Sequence, residues 1–112
     1  MPVSISPQSR VRSERTLPMP TAYIVASINV TDPHGYEAYV NGAVKVTQKA
    51  GGRLLVSGGR TEAIEGTLHN RIVVIEFESI EAARAAAAGY KALRDTRGAS
   101  APDYDSVIVE GV

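Results

Sequence analysis

The chain has 112 residues, of which 44% are hydrophobic, and this length and composition are typical of one globular domain. Twelve basic and twelve acidic residues give a formal net charge of zero, which argues against a nucleic-acid partner and against attraction to an anionic membrane. The chain has no cysteine, so disulfides and thiolate metal sites are excluded and a cytoplasmic location is expected. It contains no Trp and one Phe, so its core must be small, and a domain with a small core often relies on a partner chain.

Residues 1–21 differ in composition from the rest of the chain. They contain four prolines and three arginines but a single acidic residue, Glu14. Because proline interrupts helices, this segment is not expected to form an amphipathic helix. We therefore expect a flexible N-terminal tail followed by one domain over residues 22–112. An arginine-rich targeting segment is the less favoured alternative.

The first predicted elements are a strand and a helix. Residues 22–30 are predicted to form a strand, because every second side chain from Ala22 onward is apolar while the side chains between them are mixed in polarity. Asp32 is the predicted N-cap of the helix, and Pro33 suits the first helical position because its missing N–H is not needed there. Apolar residues then recur every three or four positions until Gly51 and Gly52, which are expected to end the helix.

The remaining elements are predicted from the same two patterns, alternation for strands and a spacing of three or four residues for helices. Alternation predicts strands over residues 53–57, 71–78 and 105–110, and a small extra strand over residues 61–64. Helical spacing predicts a second, alanine-rich helix over residues 80–93. The chain therefore runs strand, helix, strand, strand, helix, strand.

This order is that of the ferredoxin-like βαββαβ fold, an α+β arrangement in which two helices cover one face of an antiparallel sheet. The opposite face is then left uncovered. Strict alternation assigns to it side chains that are too apolar to lie open on a monomer and too polar for an ordinary core. They are Tyr23, Val25, Ser27, Asn29, Arg53, Leu55, Ser57, Ile72, Val74 and Glu76. We therefore expect a second copy of the chain to cover this face, which predicts a homodimer.

Several short motifs, taken together, resemble those of a known family. They are Asp32-Pro33 with Tyr36 and Tyr39, Gly51-Gly52-Arg53, Gly58-Gly59-Arg60, Glu65-Gly66, Glu76-Phe77, Tyr90 with Arg94, and Val109-Glu110-Gly111. Their order and spacing over residues 22–112 resemble the domain-of-unknown-function family thirteen-thirty. The resemblance implies a dimeric α/β-barrel, in which two ferredoxin-like sheets close face to face, and the family as such has no assigned reaction.

Two carboxylates are candidate catalytic residues. Alternation places Glu76 on the uncovered sheet face, and Glu110 joins it there if the last strand presents Ile108 rather than Val109 to that side. A carboxylate among apolar side chains has a raised pKa unless an arginine stabilises its charged form, and general acid–base catalysis requires such tuning. A purely structural pair of Arg53 and Glu76 that fixes the dimer explains the same pattern equally well.

The candidate ligand-binding residues are the polar and aromatic side chains expected beside a cleft between sheet and helices. They are Asn29, Tyr39, Arg53, Arg60, Tyr90 and Arg94. No metal or cofactor is expected, because His34 and His69 are far apart in the chain and a metal site needs three or more converging ligands. The chain also lacks the glycine-rich phosphate-binding motifs and the G-x-S-x-G nucleophile motif.

Three classes of function therefore remain open. We favour a protein that binds a small organic molecule, neutral or anionic, in the cleft between sheet and helices. The first alternative is a cofactor-free enzyme, similar to a monooxygenase or an isomerase, with an inward carboxylate as general base. The second alternative is a structural or interaction module without a ligand.

Overall fold

A computed structural model describes residues 20–112, which form one four-stranded sheet with helices on one face. The elements in chain order are β1 (Ala22–Asn29), α1 (Pro33–Lys49), β2 (Arg53–Ser57), β3 (Arg71–Phe77), α2 (Ile80–Ala92), the one-turn helix α3 (Arg94–Arg97), a short 3₁₀ turn (Gly98–Ser100) and β4 (Asp103–Glu110). Residues 1–19 of the predicted tail lie outside the described residues. Within residues 20–112, no helix is both long enough and apolar enough to cross a membrane.

The sheet has the strand order β2-β3-β1-β4, and every neighbouring pair is antiparallel. β1 and β3 occupy the centre, and each of the two long helices lies in a connection from a central strand to an edge strand. This topology confirms the ferredoxin-like α+β fold predicted from the element order.

Both long helices begin where a polar side chain satisfies a free backbone N–H. The Asp32 carboxylate accepts a hydrogen bond of 3.0 Å from the Gly35 N–H at the start of α1, and the Ser79 hydroxyl accepts one of 3.2 Å from the Ala82 N–H at the start of α2. Such caps stabilise a helix end by about 1 kcal/mol. The predicted N-cap at Asp32 is therefore confirmed, and α1 ends just before the predicted glycine pair.

The core lies between the helices and the sheet face that they cover, which we call the helix-side face. Alternate residues of β1 point to it and are at most 4% exposed: Ala22, Ile24, Ala26 and Ile28. They pack against Phe77 from β3 and Tyr90 from α2 in one cluster, and against Tyr36 and Tyr39 from α1 in a second. The apolar side of the first predicted strand is thus the core side, as alternation indicated.

The other side of the sheet, which we call the open face, is not covered by any described helix. It consists of Tyr23, Val25, Ser27, Asn29, Arg53, Val56, Ile72, Val74, Glu76, Asp103, Asp105, Val107 and Val109, as the strand register requires. Val107 and Val109 are 56% and 47% exposed. The sequence left undecided which side chains of the last strand face the helices. The register decides this, because Ile108 and Glu110 lie opposite buried β1 residues on the helix-side face.

The structure corrects the predicted phase of β2. Leu54 pairs with Ile75 and Val56 pairs with Val74, so Leu55 is an extra residue that forms a β-bulge. A bulge shifts the alternation of every residue after it. Val56 therefore lies on the open face in place of Leu55, and Ser57 lies on the helix-side face rather than the open face.

The small extra strand predicted over residues 61–64 is wrong, because residues 59–70 form no strand or helix. Both edges of β3 are already taken, by β2 on one side and by β1 on the other. The segment therefore has no free partner in β3 with which to form a ladder, and it runs as a loop from β2 to β3.

Candidate functional site

The candidate site is a cavity of about 360 Å³ between α1 and the helix-side face, which we call the α1 cavity. Its walls are mainly apolar, with aliphatic side chains from α1 and from the three strands nearest to it. Four of the five tyrosines of the chain line it as well. The polar lining residues are Tyr36, Tyr39, Thr47, Gln48, Ser57, Arg71, Tyr90 and Tyr104, and Arg53, whose guanidinium pairs with Glu76 on the open face, also borders the cavity.

Helical spacing explains why α1 presents one lining surface. Tyr36, Val40, Ala43 and Thr47 follow one another at intervals of three or four residues, so they share one face of the helix. β3 contributes alternate side chains from the opposite wall, beginning with Arg71. The cavity thus lies between one helical stripe and one strand face.

Three tyrosines and an arginine form one aromatic cluster at the cavity. The hydroxyls of Tyr39 and Tyr104 are 3.1 Å apart and hydrogen-bonded, and the ring centroids of Tyr36 and Tyr39 are 5.3 Å apart. The guanidinium carbon of Arg97 lies 4.1 Å from the centroid of the Tyr104 ring, a distance that allows a cation–π interaction. This packing links α1, α3 and β4 through aromatic contacts.

The fourth tyrosine is tied to α1 by a hydrogen bond. The Thr47 hydroxyl donates to the Ala43 carbonyl at 2.9 Å and is also hydrogen-bonded to the Tyr90 hydroxyl. Because a threonine hydroxyl has one hydrogen to donate, Tyr90 must be the donor to Thr47. This bond positions Tyr90 of α2 against the α1 wall of the cavity.

Burial raises the pKa of three of the four cavity tyrosines. It raises the pKa of Tyr36 to about 12, an effect that neighbouring Tyr39 reinforces and Arg71 opposes. Burial is also the largest cause of the raised pKa of Tyr90 and of Tyr104. Among the described residues, no carboxylate and no histidine lines the α1 cavity. The cavity therefore offers neutral hydroxyls and guanidinium groups as hydrogen-bonding partners.

Arg71 is one of the lining residues, with Tyr36, Ser57 and Tyr104, that were not among the predicted ligand-binding residues. Its Nη2 donates to the Ser57 hydroxyl at 3.3 Å, its guanidinium carbon lies 5.9 Å from the centroid of the Tyr36 ring, and its Nε is buried without a hydrogen-bond partner. Arg71 begins β3 in phase with Val73 and Ile75, which both face the helices. That phase is the signal from which the sequence could have identified it.

The predicted ligand-binding residues do not form one group. Tyr39, Tyr90 and Arg53 line the α1 cavity. Arg94 lines a neighbouring cavity between α2 and β4, which shares Tyr39 and Tyr90 with the first. Asn29 lies on the open face, where alternation in the sequence placed it.

Asn29 and Arg60 contact polar groups outside the cavity. The side-chain amide of Asn29 donates to the Asp103 carboxylate at 3.3 Å, and Arg60 is an exposed loop residue whose Nε lies 4.0 Å from Glu62 Oε2. Neither residue lines the α1 cavity.

The two candidate catalytic carboxylates lie on opposite faces of the sheet. Glu76 lies on the open face, where its Oε1 is 3.0 Å from Nη2 of Arg53. Glu110 pairs with Ala22 on the helix-side face and is exposed. The condition for the two to share a site, that Glu110 lies on the open face, is therefore not met, and neither lines the α1 cavity.

The fold and the site define an α+β protein of the ferredoxin-like type with a ligand-sized cavity under its first helix. The chain belongs to the family described as Domain of unknown function (DUF1330), whose model matches residues 21–112. No curated protein matches the chain.

Two of the solved structures that resemble the chain come from one protein. One is a crystal structure of the RPA0582 protein of unknown function from Rhodopseudomonas palustris, a structural genomics target, with a TM-score of 0.67, 14% identity and 85% of each chain covered. The other is methylated RPA0582, with a TM-score of 0.64, 14% identity, and coverage of 85% of this chain and 83% of that one. At this identity the likeness demonstrates the fold alone.

Proposed function

We propose that the protein binds a small organic molecule with an apolar or aromatic body in the α1 cavity. The observation that carries this proposal is the cavity itself, whose volume of about 360 Å³ falls within the range of small-molecule sites. Its lining also has the composition expected of such a site, since apolar side chains surround a few polar groups.

The chemistry of the lining favours binding over catalysis. General acid–base catalysis needs a group that exchanges protons near the working pH. The described lining contains arginines and tyrosines but no carboxylate or histidine, and burial raises the pKa values of Tyr36, Tyr90 and Tyr104 further from neutrality. These properties suit a pocket that holds its ligand without reacting with it.

We also propose that the protein is a homodimer that joins two open faces. An apolar row crosses the open face from Val56 through Val74 and Val25 to Val107, and Val56 and Val107, on the two edge strands, are each more than 40% exposed in the single chain. Charged pairs lie toward its sides, where Arg53 contacts Glu76 and His69 contacts Asp105. An apolar centre with a polar rim is the usual anatomy of a protein interface, and two copies related by a two-fold axis would bury the same patch on each other.

Tyrosine resonances offer a direct test of ligand binding. In protein labelled with ¹³C in the tyrosine rings, a bound fragment should shift the signals of the four cavity tyrosines, while Tyr23 on the open face serves as the internal reference. We expect a screen of small aromatic and aliphatic compounds to give hits with this pattern.

Ala43→Leu should weaken those hits, because Ala43 lines the cavity and a larger side chain would occupy part of it. Ala38→Leu is the matched control, since Ala38 is exposed on the same helix and does not line the cavity. Hits that are insensitive to Ala43→Leu, or a screen with no shifts at the cavity tyrosines, would refute the proposal.

A substitution that places a charge on the open face tests the dimer. Val107→Glu should shift the protein from dimer to monomer in light scattering at micromolar concentration, because a carboxylate there would be buried without a partner. Ile64→Glu is the control, since Ile64 is a loop residue that is 97% exposed. A parent protein that is monomeric under these conditions would disprove the homodimer.

A further inference from the structure

The environment of Arg71 is unusual for an arginine. Of its five N–H groups, one donates to the Ser57 hydroxyl, and its Nε is buried without a partner. No carboxylate of residues 20–112 lies within ion-pair distance of it. A partly buried guanidinium that lacks a counter-ion is costly, because charged groups removed from water need pairing.

The neighbours of Arg71 hold its guanidinium in place. The Tyr36 ring lies beside it, Ser57 accepts from Nη2, and a Cβ at Gly58 would lie 2.7 Å from Nη1. A side chain at this position would force the guanidinium to move, so its present position depends on Gly58. The group is therefore positioned by its surroundings without being neutralised by them.

Arg71 borders both the α1 cavity and a more open depression beside it. The acidic residue that lines the depression is Glu37, whose Oε1 lies 3.9 Å from His34 Nδ1 and which forms no ion pair with Arg71. An anion can thus approach Arg71 at the end of a mainly apolar cavity. The opposite wall holds the neutral tyrosines, which suit the uncharged part of a ligand.

We propose that the ligand of the α1 cavity is a small organic acid whose anionic group binds Arg71 and Ser57 while its apolar body lies between α1 and the sheet. This inference rests on the proposed function and specifies its ligand class. The planar guanidinium binds carboxylate and phosphate groups alike, through paired N–H donors. The uncompensated charge of Arg71, rather than the predicted Arg60 or Arg94, determines the orientation of the ligand.

The test compares acids with amides of the same shape. trans-Cinnamate and trans-cinnamamide, and hexanoate and hexanamide, are titrated into the full chain and followed by the tyrosine resonances. We expect each acid to bind about ten- to a hundredfold more tightly than its amide, since hydrogen bonds to charged groups contribute that much. Phenyl phosphate identifies the preferred acid: tighter binding than cinnamate favours phosphate esters, and weaker binding favours carboxylates.

Arg71→Met should remove the preference for acids while the amides still bind. Arg71→Lys should retain part of the preference, because lysine keeps the charge but lacks the paired donors. Arg84→Met is the matched control, since Arg84 is exposed on α2 and lines none of the cavities described above. Circular dichroism establishes that each variant is folded, and if Arg71→Met does not fold, Arg71→Lys provides the comparison.

The outcomes separate this inference from the proposed function. If acids and amides bind equally well, or if Arg71→Met and Arg71→Lys keep the full preference, the organic-acid inference is wrong while ligand binding stands. If neither acids nor amides nor any screened compound shifts the cavity tyrosines, both are wrong.

Discussion

Arg53 and Glu76 form a salt bridge across the two strands β2 and β3 on the open face of the sheet. Nε and Nη2 of Arg53 lie 3.1 Å and 3.0 Å from Oε1 of Glu76, and the two residues are directly paired in the strand register. In the single chain the Arg53 side chain is 74% exposed and that of Glu76 is 27% exposed. The candidate general base is thus engaged by an arginine on the face where we propose that the second copy binds.

The Arg53–Glu76 pair leads to a prediction about dimer stability. In the single chain such an exposed pair contributes at most about 1 kcal/mol, but beneath a partner sheet Glu76→Gln would leave the Arg53 charge without its counter-ion. We expect the free energy of dimer dissociation to fall by on the order of 3 kcal/mol, while unfolding of the monomer changes little. Sedimentation equilibrium of parent and variant measures the difference.

Glu62→Gln is the control for this experiment, because Glu62 pairs with Arg60 at 4.0 Å in the exposed loop between β2 and β3. It should leave dimerisation unchanged. A Glu76→Gln dimer as stable as the parent, or more stable, would contradict a covered salt bridge and would return Glu76 to the list of candidate functional carboxylates.

Gly89 allows the two long helices to approach each other. A Cβ at this position would lie 2.7 Å from Cγ1 of Val46, closer than two carbon atoms can approach without displacement. Gly89→Ala should therefore destabilise the fold by about 1–3 kcal/mol through overpacking, although alanine favours a helix over glycine by about 1 kcal/mol. Urea unfolding measures the net change.

The Gly89→Ala prediction has an internal control in Val46→Ala, which removes the opposing methyl groups. The double variant should be more stable than the sum of the two single changes predicts, since the residues are in contact. Strict additivity would show that the close contact is not the cause.

Tyr36 gives a prediction for alkaline pH. Its pKa is raised from about 10 to about 12, chiefly by burial, so above pH 10 the unfolded chain loses the phenolic proton while the folded chain keeps it. The contribution of Tyr36 to stability is therefore complete below about pH 10 and is lost as the pH rises toward 12. The loss is on the order of 2 kcal/mol.

Tyr36→Phe removes the titrating group, so its free energy of unfolding should fall less than that of the parent between pH 10 and 12. Tyr90 and Tyr104, whose pKa values are raised as well, are present in both proteins, so most of their contribution cancels in the comparison. Below pH 9 the difference between parent and variant should be constant. If the free energies of unfolding of parent and variant fell in parallel up to pH 12, this account would be contradicted.

The boundary of the folded domain can be located by truncation. The Gly111 N–H donates to the Thr21 carbonyl at 2.7 Å, and Ala22 is fully buried. A chain that begins at Pro20 should therefore keep the melting temperature of the full chain, as the composition of the tail predicts. A chain that begins at Tyr23 should melt several degrees lower, because it lacks the Thr21 hydrogen bond and the Ala22 side chain. A large loss in the Pro20 chain would mean that the tail stabilises the fold.

Local sequence features were sufficient to predict most of the fold. The alternation of β1 and β3, the cap at Asp32 and the helical spacing of α1 and α2 all act within a few residues, so they can be read from neighbouring positions. The element order then restricted the topology to a few arrangements, and the ferredoxin-like one was correct.

Longer-range pairing accounts for what the sequence analysis missed. The bulge at Leu55 exists because β2 must match the register of β3, and that register depends on residues twenty positions away. The same limit left the phase of β4 open, since each of its two faces carries apolar side chains and only pairing with β1 places Val107 outward and Ile108 inward.

The candidate site depended on tertiary structure most of all. Tyr39 and Tyr90, which were predicted as ligand-binding residues, line the α1 cavity, because tyrosines on the apolar side of a helix usually lie at a core or pocket wall. The phase of Arg71 with Val73 and Ile75 indicates a helix-side position, but its local sequence does not show whether it has a counter-ion. Its significance arises from Tyr36, Ser57 and Gly58, which the fold brings around it, and from the lack of a nearby carboxylate, which depends on where every acidic residue of the domain lies in space.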